Sequence, residues 1–211
     1  FILLNERESS LRALALGQLA GRRDTTDLPL IRSALRDPAS EVRGGAIVAW
    51  ARFDSAAARP TAREMLLTDP SSSVRERAVS VLDPADPATL ELLIARTTPA
   101  WPLGLRQTAA SRIRNQPQPA VVSALEALTA PSEPRNLREA GLRYLAGRSD
   151  KAPAIATATR YLGDPDPLFA VSAVQTLARV GGPAGNATLR QRLTVEKRVT
   201  VGDAIRGALA K

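Results

Sequence analysis

Residues 35–51 read LRDPASEVRGGAIVAWA, and residues 67–82 return to the same phrase as LTDPSSSVRERAVSVL. In each, an Asp-Pro pair is followed six residues after the Asp by an Arg, and the residue before that Arg opens a Val/Ala stripe. Asp-Pro favours a turn, and the stripe has the spacing of one face of a helix. The phrase therefore describes a turn and the helix that leaves it. With Val42 as an anchor, an aliphatic or aromatic residue recurs at Leu11, Val42, Val74, Leu105, Leu137, Phe169 and Val201, in steps of 31 or 32 residues. Four positions beyond each anchor stand Ala15, Ala46, Ala78, Ala109, Gly141, Ala173 and Ile205. A register kept through seven units marks an internal repeat.

Each repeat reads as two helices. The second carries the anchor and an apolar stripe such as Val42, Ala46, Ala49 and Trp50. The first is a shorter amphipathic stretch, starting near Asp27, Pro60, Pro87, Pro119, Pro153 and Pro183 in successive repeats. Proline suits a first helical turn, where its missing N–H would have no partner anyway. Clusters such as GRRDTTD, LDPADP, RNQPQP and VGGPAGN separate the elements. A hairpin of this size cannot bury its apolar face alone, so neighbours must stack, and the small residue at +4 lets them approach closely. The predicted fold is all-α: an α-solenoid of about six to seven stacked antiparallel helix pairs, forming a single domain over residues 1–211. Leu4 precedes Leu11 by the same seven residues that separate Leu35 from Val42. Phe1 to Leu4 is thus expected to be the end of a first helix, and the chain a fragment of a longer protein truncated before residue 1.

The pattern Leu-x-Asp-Pro-x-x-x-Val-Arg-x-x-Ala resembles the HEAT-repeat family, particularly its short bacterial form. The likeness is strongest over 35–51, 67–82 and 161–178. It implies a structural ladder in which the Asp of one repeat pairs with the Arg of a neighbour, here through Asp37, Arg43, Asp69, Arg75, Arg106, Arg138 and Asp164, with Glu6, Arg12 and Glu196 in equivalent positions. Ala100 and Ser132 replace the acid in the fourth and fifth repeats, and Ala170 and Gly202 replace the base in the sixth and seventh. The ladder is therefore expected to be incomplete, and its members to be scaffolding rather than ligand-binding groups.

Composition narrows the function. The chain has neither Cys nor His, which removes thiol nucleophiles, disulfides, imidazole acid–base catalysis and the usual zinc ligands. No catalytic residue, metal site, cofactor or small-molecule site is expected. A formal charge of +8, almost all of the basic residues being Arg, suits an anionic partner or simply a solvated surface. No apolar run reaches the length of a membrane span.

Once the ladder is set aside, Arg22, Arg23, Arg52, Arg114, Arg148 and Arg179 fall near the ends of second helices, where stacking would align them. They either face an anionic partner or complement helix C-terminal dipoles. Trp50, Phe53, Tyr144 and Tyr161 sit near core positions, whereas Trp101, between two prolines in TTPAWPLG, either staples a helix start or stands exposed for a partner. The expected partner-binding residues are Arg52, Arg77, Trp101, Arg114, Arg143, Arg148 and Arg179. The expected role is a non-enzymatic protein–protein interaction scaffold, or the repeat appendage of a larger protein. Nucleic-acid binding through an Arg-rich inner surface is the alternative. Arrays resembling this one are also attached to zinc aminopeptidases, multihaem cytochromes and bilin lyases, and the DNA glycosylases among such solenoids use an aromatic-lined cleft that has no counterpart here. The carboxylate pairs Asp83/Asp86 and Asp164/Asp166 read as turn chemistry, and GGPAGN at 181–186 lacks the Lys-Ser/Thr of a phosphate loop.

Overall fold

The computed structural model describes residues 6–210, and within them the chain forms thirteen α-helices and no strand. Odd-numbered helices are the second helices of the repeats and carry the anchors. In the first compact unit, which ends at Arg112, these are α1 (Ser9–Arg22), α3 (Ser40–Phe53), α5 (Ser72–Val81) and α7 (Leu103–Ile113, whose last residue opens the second unit); between them lie α2 (Leu28–Ser33, extended by a 3-10 turn at Ala34–Arg36), α4 (Ser55–Thr68) and α6 (Pro87–Ala95). The second compact unit, from Ile113, contains α8 (Pro119–Ala127), α9 (Arg135–Gly147), α10 (Ala152–Arg160), α11 (Pro167–Val180), α12 (Gly182–Leu193) and α13 (Val199–Leu209). Helix packs on helix as hairpins, with α1 on α3, α3 on α5 and α11 on α13 along the second-helix layer. This is the stacked architecture of an α-solenoid.

The apolar seam explains the register. Val42, Val74 and Leu105 in the first unit, and Leu137, Phe169 and Val201 in the second, are completely buried. Ala46, Ala78, Ala109 and Ala173, one helical turn further on, are buried with them, so consecutive second helices meet through small side chains. Around Phe169 the second unit gathers Leu142, Leu162, Val174, Leu177, Leu189 and Ile205 into one core. Leu11 departs from the expectation, being 41% exposed. In this first described repeat α1 instead turns Leu16 and Ala20 inward, with Leu16 against α3 beside Gly45. The first-helix tail expected at Phe1 to Leu4 lies outside the described residues.

Capping sets where the first helices start. Pro87 and Pro119 open α6 and α8, and Pro153 and Pro183 stand second in α10 and α12. Asp86 caps α6 by accepting from the Thr89 N–H at 2.8 Å. The start expected at Pro60 is wrong by five residues: Asp54 accepts from the Ala57 N–H at 2.9 Å and starts α4 at Ser55, leaving Pro60 inside the helix. An N-cap aspartate overrides the proline signal because it satisfies an N–H group that the helix start would otherwise leave unpaired. At 181–186, Gly182 has φ +54° and turns the chain from α11 into α12, so GGPAGN is a corner at Gly181–Gly182 followed by the first turn of α12.

Helices approach closely through backbone at Gly141, where a Cβ would lie 2.8 Å from the Leu125 carbonyl oxygen and 3.1 Å from Leu128 Cβ. Gly17, on the exposed face of α1, has nothing within 4 Å of that position. Gly141→Ala should therefore destabilise the chain by about 1–3 kcal/mol through overpacking, despite alanine's better helix propensity. Gly17→Ala should stabilise it by up to about 1 kcal/mol. Urea denaturation of both variants checks the pair, and equal effects at the two sites would contradict the close approach.

Candidate interaction surface

The turns come first, because they position the arginines. In five repeats the acid five residues before the anchor accepts a backbone N–H two residues ahead: Glu6 from Glu8 at 3.1 Å, Asp37 from Ala39 at 2.8 Å, Asp69 from Ser71 at 2.9 Å, Asp164 from Asp166 at 3.0 Å and Glu196 from Arg198 at 2.9 Å. Three of these turns, at Asp37, Asp69 and Asp164, present their carboxylates to the arginine of the preceding repeat, while Glu196 is held by Arg192 and Arg198. Arg12 grips Asp37 through Nε and Nη2, both at 2.8 Å, and Arg43 grips Asp69 through the same two atoms at 2.9 Å. Arg138 pairs with Asp164 through Nη2 and through Nη1 at 3.2 Å, and both side chains are almost wholly buried. The remaining Nη1 of Arg12 donates to the Glu6 and Arg7 carbonyls, and that of Arg43 to the Asp37 and Pro38 carbonyls. One guanidinium thus ties its own turn to the next.

Electrostatics follow from that geometry. The Arg12 hydrogen bond holds the Asp37 carboxyl below the usual carboxylate range. Burial pushes Asp69 up, but hydrogen bonds from Arg43 and the Ser71 N–H outweigh it and leave Asp69 low as well. Arg198 first, then its own N–H and Arg192, hold Glu196 far below its ordinary value against the opposing effect of burial.

A second turn type occupies the fourth and fifth repeats. Residues 97–106 and 129–138 share Thr-x-Pro-x-x-Pro-x-x-Leu-Arg. Pro102 and Pro134 stand where the acid's N–H donor would be, so an acid at Ala100 or Ser132 would have no amide to accept. Here Arg106 and Arg138 each donate Nε to a threonine carbonyl, Thr97 and Thr129, at 3.0 Å. In the sixth repeat, where Ala170 replaces the arginine, Arg198 of the next turn reaches back to the carbonyls of Asp164 and Leu162. Neither the recurrent Thr-Pro-Pro turn nor Arg198 follows from the Asp–Arg pattern, although the recurrence itself stands in the sequence.

The expected partner-binding residues divide by environment. Arg52, Arg77, Arg114, Arg143 and Arg179 are exposed. In the first unit Arg52 lines an open groove of about 380 Å³ with Val48, Arg59, Asp83 and Arg112. In the second, Arg143 and Arg179 share a groove of about 350 Å³ with Glu139, Leu142, Gln175 and Thr176, and Arg179 also edges an apolar groove lined by Ala178, Ala204 and Ala208. Arg77 instead lies across Gly44 of α3. Arg148 is half-buried and donates Nη1 to the Arg114 carbonyl at 2.7 Å, while Arg112 donates to the Leu82 carbonyl, so both serve helix C-termini. Arg114 and Arg143 flank the Tyr144 ring at 5.7 and 5.4 Å. Trp101 is half-buried, with the Arg96 guanidinium 4.3 Å above its ring. Trp50 is buried in the core beneath Arg32. Asp83 pairs with Arg59, Asp86 caps α6, and Asp166 caps α11 while pairing with Arg135, so each carboxylate of the two acidic pairs is engaged in a turn. Among the described residues no helix is long and apolar enough to cross a membrane.

Residues 2–83 match the family model described as HEAT repeats. Among solved structures the chain is similar to human deoxyhypusine hydroxylase in complex with glycerol, at 17% identity and a TM-score of 0.49, over 98% of this chain and 80% of the other. No curated protein matches it.

Truncating Asp164 to Ala would strand the Arg138 guanidinium in the core, and should cost about 3–5 kcal/mol in urea denaturation, more than Asp37→Ala at its better solvated rung. Acid should weaken the whole ladder. Because Asp37, Asp69 and Glu196 bind protons less readily folded than unfolded, their contribution is fully present above the ordinary values of 3.8 and 4.5 and is lost as pH falls through the depressed folded values. A urea midpoint that stayed constant from pH 6 down to about pH 2 would contradict this assignment.

Proposed function

We propose that this HEAT-repeat chain is a non-enzymatic scaffold that binds a protein partner, or a domain of its own parent protein, on the faces of its second helices. The observation that carries the reading is the division of the arginines. Those of the complete rungs are half-buried or buried against acids and carbonyls, whereas Arg52, Arg143 and Arg179 edge open grooves between consecutive second helices. The grooves in the second unit alternate basic, amide and small apolar groups (Arg143, Gln175, Ala178, Ala204). Such a mixture resembles the arginine-enriched anchors and polar rims of protein interfaces more than a continuous phosphate-tracking strip. The lack of Cys and His supports a role without covalent or imidazole chemistry. As the appendage of an enzyme, the chain would position that enzyme's partners and leave the chemistry to groups elsewhere.

Affinity capture with the wild-type chain and with the Arg143→Ala/Arg179→Ala variant tests the surface. The double substitution should lower recovery of the specific partner about tenfold or more, the effect of losing interface hot spots, with the unfolding midpoint unchanged. A labelled DNA duplex titrated in parallel should show only weak binding. Unaltered capture by the variant, or micromolar duplex affinity falling steeply with salt, would overturn the reading in favour of another face or of nucleic acid.

A further inference from the structure

In the fourth repeat two arginines stand at positions that elsewhere grip the turn acid, and that acid is replaced by Ala100. In the complete rungs, the arginine after one anchor grips the acid five residues before the next: Arg12 with Asp37, Arg43 with Asp69, Arg138 with Asp164. Arg75 holds that position on α5, but the residue opposite is Ala100. The seventh repeat shows a second way to engage the same acid position. There Arg192, four residues before Glu196, donates Nε and Nη2 to its carboxylate at 3.0 and 2.7 Å. Arg96 stands four residues before Ala100 and repeats that placement.

Both cations are left incomplete. The Nε atoms of Arg75 and Arg96 are buried and have no hydrogen-bond partner among the described residues. Arg96 is only 9% exposed and is pinned by its guanidinium over Trp101. Asp69 lies within electrostatic range of Arg75, but Arg43 and the Ser71 N–H already occupy it. Burial, and then the charge of Arg75, draws Arg96 below the ordinary guanidinium value. A buried arginine normally has a partner, since an unpaired charge in the interior is costly. Ala100 itself is exposed, so the unfilled position opens to solvent.

We infer that Arg75, Arg96 and Trp101 form a binding site for a small oxyanion, a carboxylate or a phosphate, which takes the position of the carboxylate missing at Ala100. The ligand's oxygens would accept from the unpaired Nε groups while Trp101 keeps the Arg96 plane fixed, as a bidentate guanidinium site requires. None of its residues lines the grooves of Arg143 and Arg179, so the two readings stand or fall separately.

The test is a titration of the wild-type chain with sodium phosphate and, separately, sodium acetate, at constant ionic strength against sodium chloride, read by tryptophan fluorescence and thermal unfolding. Phosphate or acetate should give a saturable fluorescence change and raise the unfolding temperature beyond chloride. The responding anion identifies the source, a tetrahedral phosphate or a carboxylate. Ala100→Asp supplies the acid from within and should raise the unfolding temperature without ligand while abolishing the anion response. Arg75→Gln should weaken the anion response at least tenfold, and serves where Ala100→Asp does not fold. Gly17→Ala, on the exposed face of α1, should show the wild-type anion response. No saturable response to either anion in the wild type, or an equal response in Arg75→Gln, overturns the inference.

Discussion

The architecture depends on an arginine that leaves one helical hairpin and closes on the turn of the next. Apolar burial drives the hairpins together, but it is non-directional, and a seam of valines and alanines would tolerate small rotations and slips. The guanidinium removes that freedom. In Arg43 two nitrogens face the carboxylate of Asp69 and a third faces the carbonyls of Asp37 and Pro38, so the two turns are set at a fixed distance. In the second unit, Arg138 lies 3.8 Å over the Phe169 ring while pairing with Asp164, which places the rung directly on the anchor of the seam. Ionic and apolar contacts there share one residue, and neither can move without the other.

The turn that receives the arginine is as constrained as the arginine. An aspartate five residues before the anchor works because the N–H two residues on is available to it, as Asp37 uses Ala39 and Asp164 uses Asp166. A proline at that point removes the donor, so an acid there would lose its backbone partner. The fourth and fifth repeats, with Pro102 and Pro134, accordingly carry Ala100 and Ser132 and turn their arginines onto threonine carbonyls instead. The sixth repeat loses its arginine to Ala170 and recovers the bond to the Asp164 carbonyl from Arg198. The ladder is thus a set of backbone carbonyls and turn N–H groups that must be satisfied, and different side chains meet the demand in different repeats.

This distinguishes what could be read from the chain from what could not. The period, the helical class and the buried anchors were legible because packing imposes the same residue type at the same spacing in every repeat, from Val42 to Val201. Leu11 departs from the pattern because α1 buries Leu16 and Ala20 instead, a rotation that spacing alone does not encode. Pro60 was misread because two start signals competed and the Asp54 cap decided. At the candidate surface, residue type suggested arginines but not their partners. Arg148 and Arg179 look alike in sequence, yet one is bonded to the Arg114 carbonyl and the other lines a groove. The burial of Arg96 was invisible for a similar reason: the equivalent position holds Ser33, Met65, Leu128, Arg160 and Arg192 in other repeats, and Arg160 is exposed, so residue type there does not encode burial.

The same geometry bears on the meaning of the charge. A formal +8 carried mostly by arginine invites an electrostatic reading of the whole surface. Lysine would supply that field equally well, yet a compact ammonium cannot meet two carboxylate oxygens and a carbonyl in one plane, as Arg12 and Arg43 do. The preference for arginine is therefore explained in good part by stacking, because the rungs, the Arg112 and Arg148 bonds to helix ends and the Arg198 substitution all use the planar fork. What is available for recognition is the smaller group that stacking does not engage. Those residues are dispersed over separate grooves among amide and apolar neighbours, and the proposed partner surface would use them for shape as well as for sign.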